Sequence, residues 1–213
     1  RAPPVRLVAW LTSLGHLAPY TQLKFLSNTV TILAAAAPTL DWSVQRHLVR
    51  RAHRAAIRSL SKRKVGRVLP SAELLAAGQR LAFDLAEADH NPLSAALSVR
   101  DGAMIALLAL LPMRRRSFSE LRLGHSVLVG AEDILISLSS EMTKNGLPWE
   151  APVPKAAAII LRRYIDETRP WLLARGRQGH SSLWVGRRGQ PIKDAAIALR
   201  ISNGTTKATG ISV

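Results

Sequence analysis

Apolar residues recur at helical spacing along the first part of the chain. The pattern predicts helices over residues 5–14 and 20–36, and a third from about Trp42 to Leu60. The stretch "PTLDW" before the third helix marks a turn in which Asp41 can cap that helix. This part of the chain is therefore predicted to be all helical.

The second part mixes helix and strand. Residues 71–88 show the pattern of an amphipathic helix that Ser71 can cap, and residues 99–111 are almost entirely apolar, which is typical of a central core helix. Three short apolar runs then follow, separated by turns that include "NG". They are "HSVLV" (125–129), "DILISL" (133–138) and "WEAPVP" (149–154). Together they predict a three-stranded antiparallel meander.

The rest of the chain predicts a helix over "KAAAIILRRYIDETRPWLL", an extended piece with a glycine turn in "SLWVGRRGQPI", and a polar helix that closes with "TTKATGISV". The predicted fold class is mainly α with a small three-stranded antiparallel sheet (α+β). A domain boundary is predicted in the basic stretch "SKRKVGR", residues 61–67, because a glycine and a new helix start follow it. The two predicted domains are residues 1–66 and 67–213.

Charge narrows the function classes. Lys and Arg number 30 against 14 Asp and Glu, giving a formal net charge of +16. A chain with so large a positive charge usually binds nucleic acid, and less often an anionic membrane surface. The absence of cysteine excludes a disulfide framework and cysteine-based zinc sites. The longest apolar runs fall short of the roughly 20 residues that a membrane span needs, so no membrane partner is expected.

The third predicted helix carries a basic stripe. Four arginines recur at every fourth residue: Arg46, Arg50, Arg54 and Arg58. The predicted apolar face is Val44, Leu48, Ala52, Ala55 and Ala56. Between Arg46 and Arg67 there is no acid, so like charges repel, and an external polyanion would relieve the repulsion. The stripe therefore predicts contact with DNA or RNA phosphates, and the alternative is a merely solvated basic helix. Three further residues are assigned to the same surface: Lys62, Arg63 and Lys64.

A second basic cluster, "RRR", follows the apolar core helix. Pro112 disfavours helix at Leu111, so the core helix should end there. The stretch "SFSE" can form a capping box for a short following helix. Helical spacing places Arg114 on the inward face of that helix, with Phe118 and Leu121, while the next two arginines turn toward solvent or ligand.

An inward arginine needs an anionic partner, because a buried unpaired charge is very costly. From spacing alone, two partners remain open for Arg114. One is an internal carboxylate, Glu120 or Asp101, and the other is a bound anion.

Three stretches taken together, "RDGAMIALLALLPMRRRSFSELRLG", "EMTKNGLPWEAPVP" and "LWVGRRGQPI", resemble the tyrosine recombinase (phage integrase) family. The resemblance covers about residues 68–213 and rests on the order and spacing of the motifs. The helical first part looks like the core-binding domain of that family, and residues 67–213 like the first half of its catalytic domain.

The resemblance implies site-specific DNA recombination through a phosphotyrosyl intermediate, without metal or cofactor. Arg114 matches the first catalytic arginine, with Pro112-Met113 where the family usually has Gly-Leu, and Lys144 matches the lysine of the strand turn. A guanidinium suits the charge that develops on phosphoryl oxygens, and a lysine can protonate the leaving 5′ oxygen. Arg115 and Arg116 are then expected to contact flanking DNA. The implied partners are double-stranded DNA and further copies of the protein on DNA, in a bacterial cytoplasm near the nucleoid.

Two departures from the family pattern stand out. The acid often found three residues after the arginine is replaced by Ser117. The His-x-x-Arg motif and the nucleophilic tyrosine are not found, since Tyr20 lies in the first part, Tyr164 is predicted to be core, and His180 is predicted to lie in a surface loop. The chain is therefore expected to be a fragment that is inactive alone.

Two other functions fit some of the same features. A non-catalytic DNA-binding protein, or a degenerate integrase remnant, explains the charge and the stripe equally well. An RNA-binding or ribosome-associated protein is less favoured, because aromatic residues are only 5% and do not cluster with the basic ones.

Overall fold

The structure is a computed structural model that describes residues 3–58 and 68–211. The chain divides into two compact units, Arg1–Lys64 and Val65–Val213. The division falls within the basic stretch where the sequence predicts a boundary. Lys62, Arg63 and Lys64 lie outside the described residues.

The first unit contains three helices in its described part. They are α1 (Pro4–Ser13), α2 (Pro19–Ala36) and α3 (Ser43–Arg58). Leu7 of α1 packs with Leu26 and Val30 of α2 in a small core. Asp41 accepts a hydrogen bond of 2.8 Å from the backbone N–H of Ser43, the first residue of α3. Asp41 thus satisfies the first N–H of α3 from two positions before it, so the predicted contact forms although Asp41 is not the residue directly before the helix.

The inward face of α3 is rotated from the predicted one. Gln45 and Ala56 are its buried residues, whereas Val44 is half exposed and Ala55 is exposed. Leu48 and Ala52 do pack against the core, together with Val49. The predicted apolar face was therefore partly wrong, because packing against α2 selects a face that includes a glutamine.

The second unit combines helices with one sheet. Its helices are α4 (Ser71–Ala82), α5 (Asp84–Glu87), α6 (Pro92–Leu110), α7 (Arg115–Ser119), α8 (Lys155–Arg163), α9 (Arg169–Leu173) and α10 (Asp194–Thr209). Its strands are β1 (Val127–Val129), β2 (Ile134–Leu138) and β3 (Trp149–Pro152). The described chain is mostly helical with a three-stranded antiparallel sheet, so the predicted α+β class is confirmed.

The sheet is the predicted meander, in the order β1-β2-β3. Val127 pairs with Ile136, and Leu138 pairs with Trp149. Ile134, Ile136 and Leu138 are buried on one face of β2, as period-2 alternation requires. The loop between β2 and β3 therefore begins directly after a buried residue, Leu138.

Helix α6 is the centre of the second unit. The side chain of Asn91 caps its N-terminus by accepting hydrogen bonds from the backbone N–H groups of Leu93 and Ser94. Helices α4 and α6 approach backbone to backbone: a Cβ added at Gly78 would lie 2.8 Å from the Gly102 carbonyl oxygen. Two glycines thus permit a contact that larger residues would prevent.

Two predicted helices are interrupted. The helix predicted over residues 71–88 breaks at Phe83, and Ser71 is the first helical residue rather than a cap. The helix predicted after β3 contains a π-helical stretch, Tyr164–Thr168, between α8 and α9. Sequence periodicity predicts neither interruption, since the apolar spacing continues through both.

Helix α6 is long and apolar enough, by length and composition alone, to cross a membrane. The helix includes the charged residues Arg100 and Asp101, so the uninterrupted apolar run within it is shorter than a membrane span, as the sequence predicts. Half of the most apolar part of α6 is buried within the unit, and a core helix passes the same test.

Candidate anion site and nucleic-acid interface

The basic cluster "RRR" (114–116) follows the end of α6 and is exposed at the surface. The helix ends at Leu110, and Pro112 follows the capping Leu111, as predicted. Helix α7 then starts at Arg115, with Arg114 before it in extended backbone. Phe118 and Leu121 are fully buried and anchor the segment to the core.

Arg114 is exposed, so its predicted inward position was wrong. The helical spacing does not apply to it because its backbone (φ −64°, ψ 141°) precedes the helix. The predicted capping box is also wrong. Ser117 lies inside α7 and donates a hydrogen bond of 2.5 Å to the carbonyl oxygen of Met142.

The bond from Ser117 joins α7 to the loop between β2 and β3. In that loop the hydroxyl of Thr143 donates to the carbonyl oxygen of Leu147 at 2.7 Å, and Gly146 takes a positive φ of 68°. Lys144 is exposed on this loop. One hydrogen bond lies within the loop and another connects the loop to α7, so Lys144 lies near the basic cluster.

Arg114 and Lys144 line one cavity of about 710 Å³. Met113, Asn145 and Trp149 also contribute to its wall. None of the described residues that line the cavity is acidic. Two cationic side chains and no carboxylate among the described lining residues make this cavity a candidate site for an anion.

The other two arginines of the cluster are engaged with carboxylates. Arg115 donates two hydrogen bonds to Asp194 of α10, at 2.6 and 3.0 Å. Arg116 donates to Glu120 at 3.0 Å, one helical turn on. Both side chains are exposed, as predicted, but neither is a free cation.

Arg114 differs from its neighbours in this respect. In the described ranges, 3–58 and 68–211, no carboxylate forms an ion pair with it. The internal partners considered for it are taken, since Glu120 binds Arg116 and Asp101 binds Arg100. Of the two alternatives that spacing leaves open, the internal ion pair is therefore excluded within the described residues.

A buried arginine that the sequence did not single out lies in the core of the second unit. Arg100 of α6 is 1% exposed and donates to both Asp101 and the carbonyl oxygen of Val185. Burial raises the pKa of Asp101, and the neighbouring guanidinium opposes that rise. The pair links α6 to the extended segment that holds Trp184, whose indole N–H donates to the Phe118 carbonyl oxygen at 2.9 Å.

Neither tyrosine is among the described residues that line the cavity. Tyr164 is fully buried, as predicted; its hydroxyl donates to the carbonyl oxygen of Leu183 and accepts from the backbone N–H of Val185. Burial raises the pKa of Tyr164 well above its ordinary value, so it stays protonated. Tyr20 belongs to the first unit.

His180 lies in a loop, as predicted, but its side chain is half-buried rather than fully at the surface. Its Nε2 lies 3.0 Å from the carbonyl oxygen of Gly189. Its Nδ1 is buried without a hydrogen-bond partner among the described residues. The contact places His180 beside the turn at Gly189, and His180 is not among the described residues that line the cavity of Arg114 and Lys144.

The basic stripe of the first unit is exposed along its length. Its residues are Arg46, Arg50, Arg54 and Arg58. Arg50 and Arg54 line a groove of about 730 Å³ between α2 and α3, which also contains Lys24, His47 and His53. No acid lines this groove among the described residues. Sequence reasoning missed Lys24 and the histidines, because only the packing of α2 on α3 brings them beside the stripe.

No group of three or more metal-ligating side chains suited to a metal ion occurs in the part of the chain that the structure describes. Comparison with models of known protein families and with curated proteins finds no match to this chain.

Proposed function

We propose that this chain is part of a tyrosine-type site-specific DNA recombinase. The first unit would be its core-binding domain and the second unit the first half of its catalytic domain. The observation that carries the proposal is the cavity shared by Arg114 and Lys144, two residues 30 positions apart in sequence that the family resemblance had already paired. Their arrangement around an acid-free cavity fits the binding of a phosphodiester.

The proposed reaction is a transesterification that needs no metal. A tyrosine oxygen attacks the scissile phosphorus, the bond from phosphorus to the 5′ oxygen breaks, and a 3′-phosphotyrosyl bond forms. Arg114 donates hydrogen bonds to the non-bridging oxygens as negative charge grows on them. Lys144 gives a proton to the departing 5′ oxygen. The nucleophile would be a tyrosine outside residues 1–213, since Tyr164 is buried and Tyr20 belongs to the first unit.

The proposal extends to the partners and the setting of the protein. The acid-free groove beside α3 would contact the backbone of double-stranded DNA, and copies of the protein would associate on that DNA during strand exchange. Such a protein works on DNA integration in the bacterial cytoplasm, at the nucleoid.

The proposal is tested by asking whether a covalent protein–DNA intermediate forms. Protein made from the complete gene is incubated, in the presence of EDTA, with nicked duplexes that tile the DNA flanking the gene. A protein–DNA adduct that survives denaturing electrophoresis is the expected result, and an Arg114→Ala variant should not form it. If the protein binds these duplexes but gives no adduct on any of them, it is a non-catalytic DNA-binding protein.

A further inference from the structure

A second basic cleft lies in the second unit, on residues other than those of the Arg114 cavity. It has a volume of about 790 Å³ and is lined by four arginines: Arg175, Arg177, Arg187 and Arg188. No side chain lines both cavities among the described residues. The four arginines come from two chain segments, one after α9 and one before α10.

In the part of the chain that the structure describes, no carboxylate neutralises these arginines. Within residues 3–58 and 68–211, none of the four forms an ion pair with Asp or Glu. All four are exposed. Four like charges gathered in one cleft repel one another, and an anion in the cleft would remove that cost.

The two segments are locked together through their backbones. Gly189 has a positive φ of 77°, and a Cβ added to it would overlap the backbone nitrogen of Gly176. The Nε–H of Arg175 donates to the carbonyl oxygen of Arg187 at 3.2 Å, and its guanidinium lies over the ring of Trp171 at 5.0 Å. Arg175 thus holds the cleft together while the other three guanidinium groups remain available to a ligand.

The four positive charges of the cleft favour an extended polyanion over a small anion. A small ion such as inorganic phosphate carries about two charges at neutral pH, close to the −1.5 to −2 of a phosphorylated side chain, and would leave much of the cluster uncompensated. Duplex DNA presents one phosphate charge per about 1.7 Å of its axis, so it can meet several guanidinium groups at once. Arginine also suits phosphate oxygens better than lysine, because its planar fork donates two parallel hydrogen bonds.

We propose that this arginine cleft binds the sugar–phosphate backbone of duplex DNA at a position separate from the phosphate held by Arg114 and Lys144. The inference rests on the proposed function only in taking DNA as the partner. It adds a positioning surface that fixes how the duplex lies on the second unit.

The experiment measures binding of a short fluorescent duplex to residues 1–213 by anisotropy over a series of salt concentrations. The triple variant Arg177→Gln, Arg187→Gln, Arg188→Gln removes the available guanidinium groups. The control triple variant Arg6→Gln, Arg122→Gln, Lys155→Gln removes the same charge at exposed residues that line neither cavity of the second unit. Each phosphate that is no longer neutralised lowers the log–log salt slope by about 0.9, so the slope of the cleft variant should fall by about 2–3.

The expected result is a larger decrease of slope and affinity in the cleft variant than in the control variant. A third variant with lysine at the same three positions keeps the charge and should retain most of the affinity. Thermal unfolding of each variant shows that the fold is intact. Equal decreases in the cleft and control variants would overturn the inference while leaving DNA binding in place. A wild-type chain that binds no duplex at low salt would instead overturn the proposed function as well.

Discussion

At the scale of single residues, the three consecutive arginines have three different environments. Arg115 and Arg116 are each held by a carboxylate, whereas Arg114 lines the cavity without one among the described residues. In protein from the complete gene, Arg114→Lys should lower the single-turnover rate of DNA cleavage by about 10²–10³, the usual effect of removing one transition-state donor. Lysine keeps the charge but lacks the fork, so DNA affinity should change little.

The neighbouring arginines provide the matched controls. Arg115→Lys and Arg116→Lys should change the cleavage rate only slightly, since both side chains already bind protein carboxylates. A crippling effect at either of these positions, with Arg114→Lys near normal, would show that the wrong arginine has been assigned.

The proposed role of Lys144 as a proton donor can be tested separately from the effect of its positive charge. If it protonates the leaving oxygen, Lys144→Ala should slow cleavage of ordinary DNA by about 10²–10⁴. A substrate with sulfur in place of the 5′ bridging oxygen has a leaving group that needs no proton, so the variant should cleave it at nearly the wild-type rate. Lys155→Ala, an exposed lysine outside the cavity, should leave both rates unchanged. Failure of the sulfur substrate to restore the rate would mean that Lys144 acts only through its charge.

At the scale of elements, the Arg100–Asp101 pair joins α6 to the segment containing Val185. Arg100→Met leaves the carboxylate of Asp101 buried without its partner, and should lower the free energy of unfolding by about 3–5 kcal/mol. Adding Asp101→Leu should restore most of that stability, because no buried charge then remains. Urea unfolding of the single and double variants measures both effects.

The destabilisation of the single variant should depend on pH. Burial raises the pKa of Asp101, and Arg100→Met removes the guanidinium that opposes the rise. Since the folded pKa then lies above the unfolded one, the carboxyl group binds a proton on folding. The variant should be closest to wild-type stability at acidic pH, below the unfolded pKa of Asp101, and should lose stability as pH rises through the folded pKa. A destabilisation independent of pH would show that missing packing, rather than the carboxylate, is its cause.

At the scale of the whole molecule, net charge is concentrated in the first unit. Residues 1–64 contain 11 Lys and Arg and one acid, a net of +10 out of the +16 of the chain. Replacing Arg46, Arg50, Arg54 and Arg58 with Gln should lower the salt slope of DNA binding by about 0.9 for each phosphate that the stripe neutralises. The control removes four exposed charges elsewhere: Arg6, Arg122, Lys155 and Lys193. An unchanged slope in the stripe variant would mean that the stripe is only solvated.

Sequence pattern predicts the elements of this molecule better than it predicts how their side chains meet. The meander follows from alternation and from the turn at Asn145-Gly146, which are local signals. The exposure of Arg114 could not be predicted, because the start of α7 depends on the contact of Ser117 with a loop 25 residues away. The arginine cleft was missed for the same reason, since it depends on the approach of Gly176 to Gly189.

The unequal pairing of the three arginines also has a spectroscopic consequence. The Nε–H groups of Arg115 and Arg116 are engaged by carboxylates, so their protons should exchange with water more slowly than that of Arg114. A phosphate ester in the cavity would protect the Arg114 proton and leave the other two as they are. The order of exchange rates among three adjacent residues thus reports whether the cavity is occupied, without any chemical step having to take place.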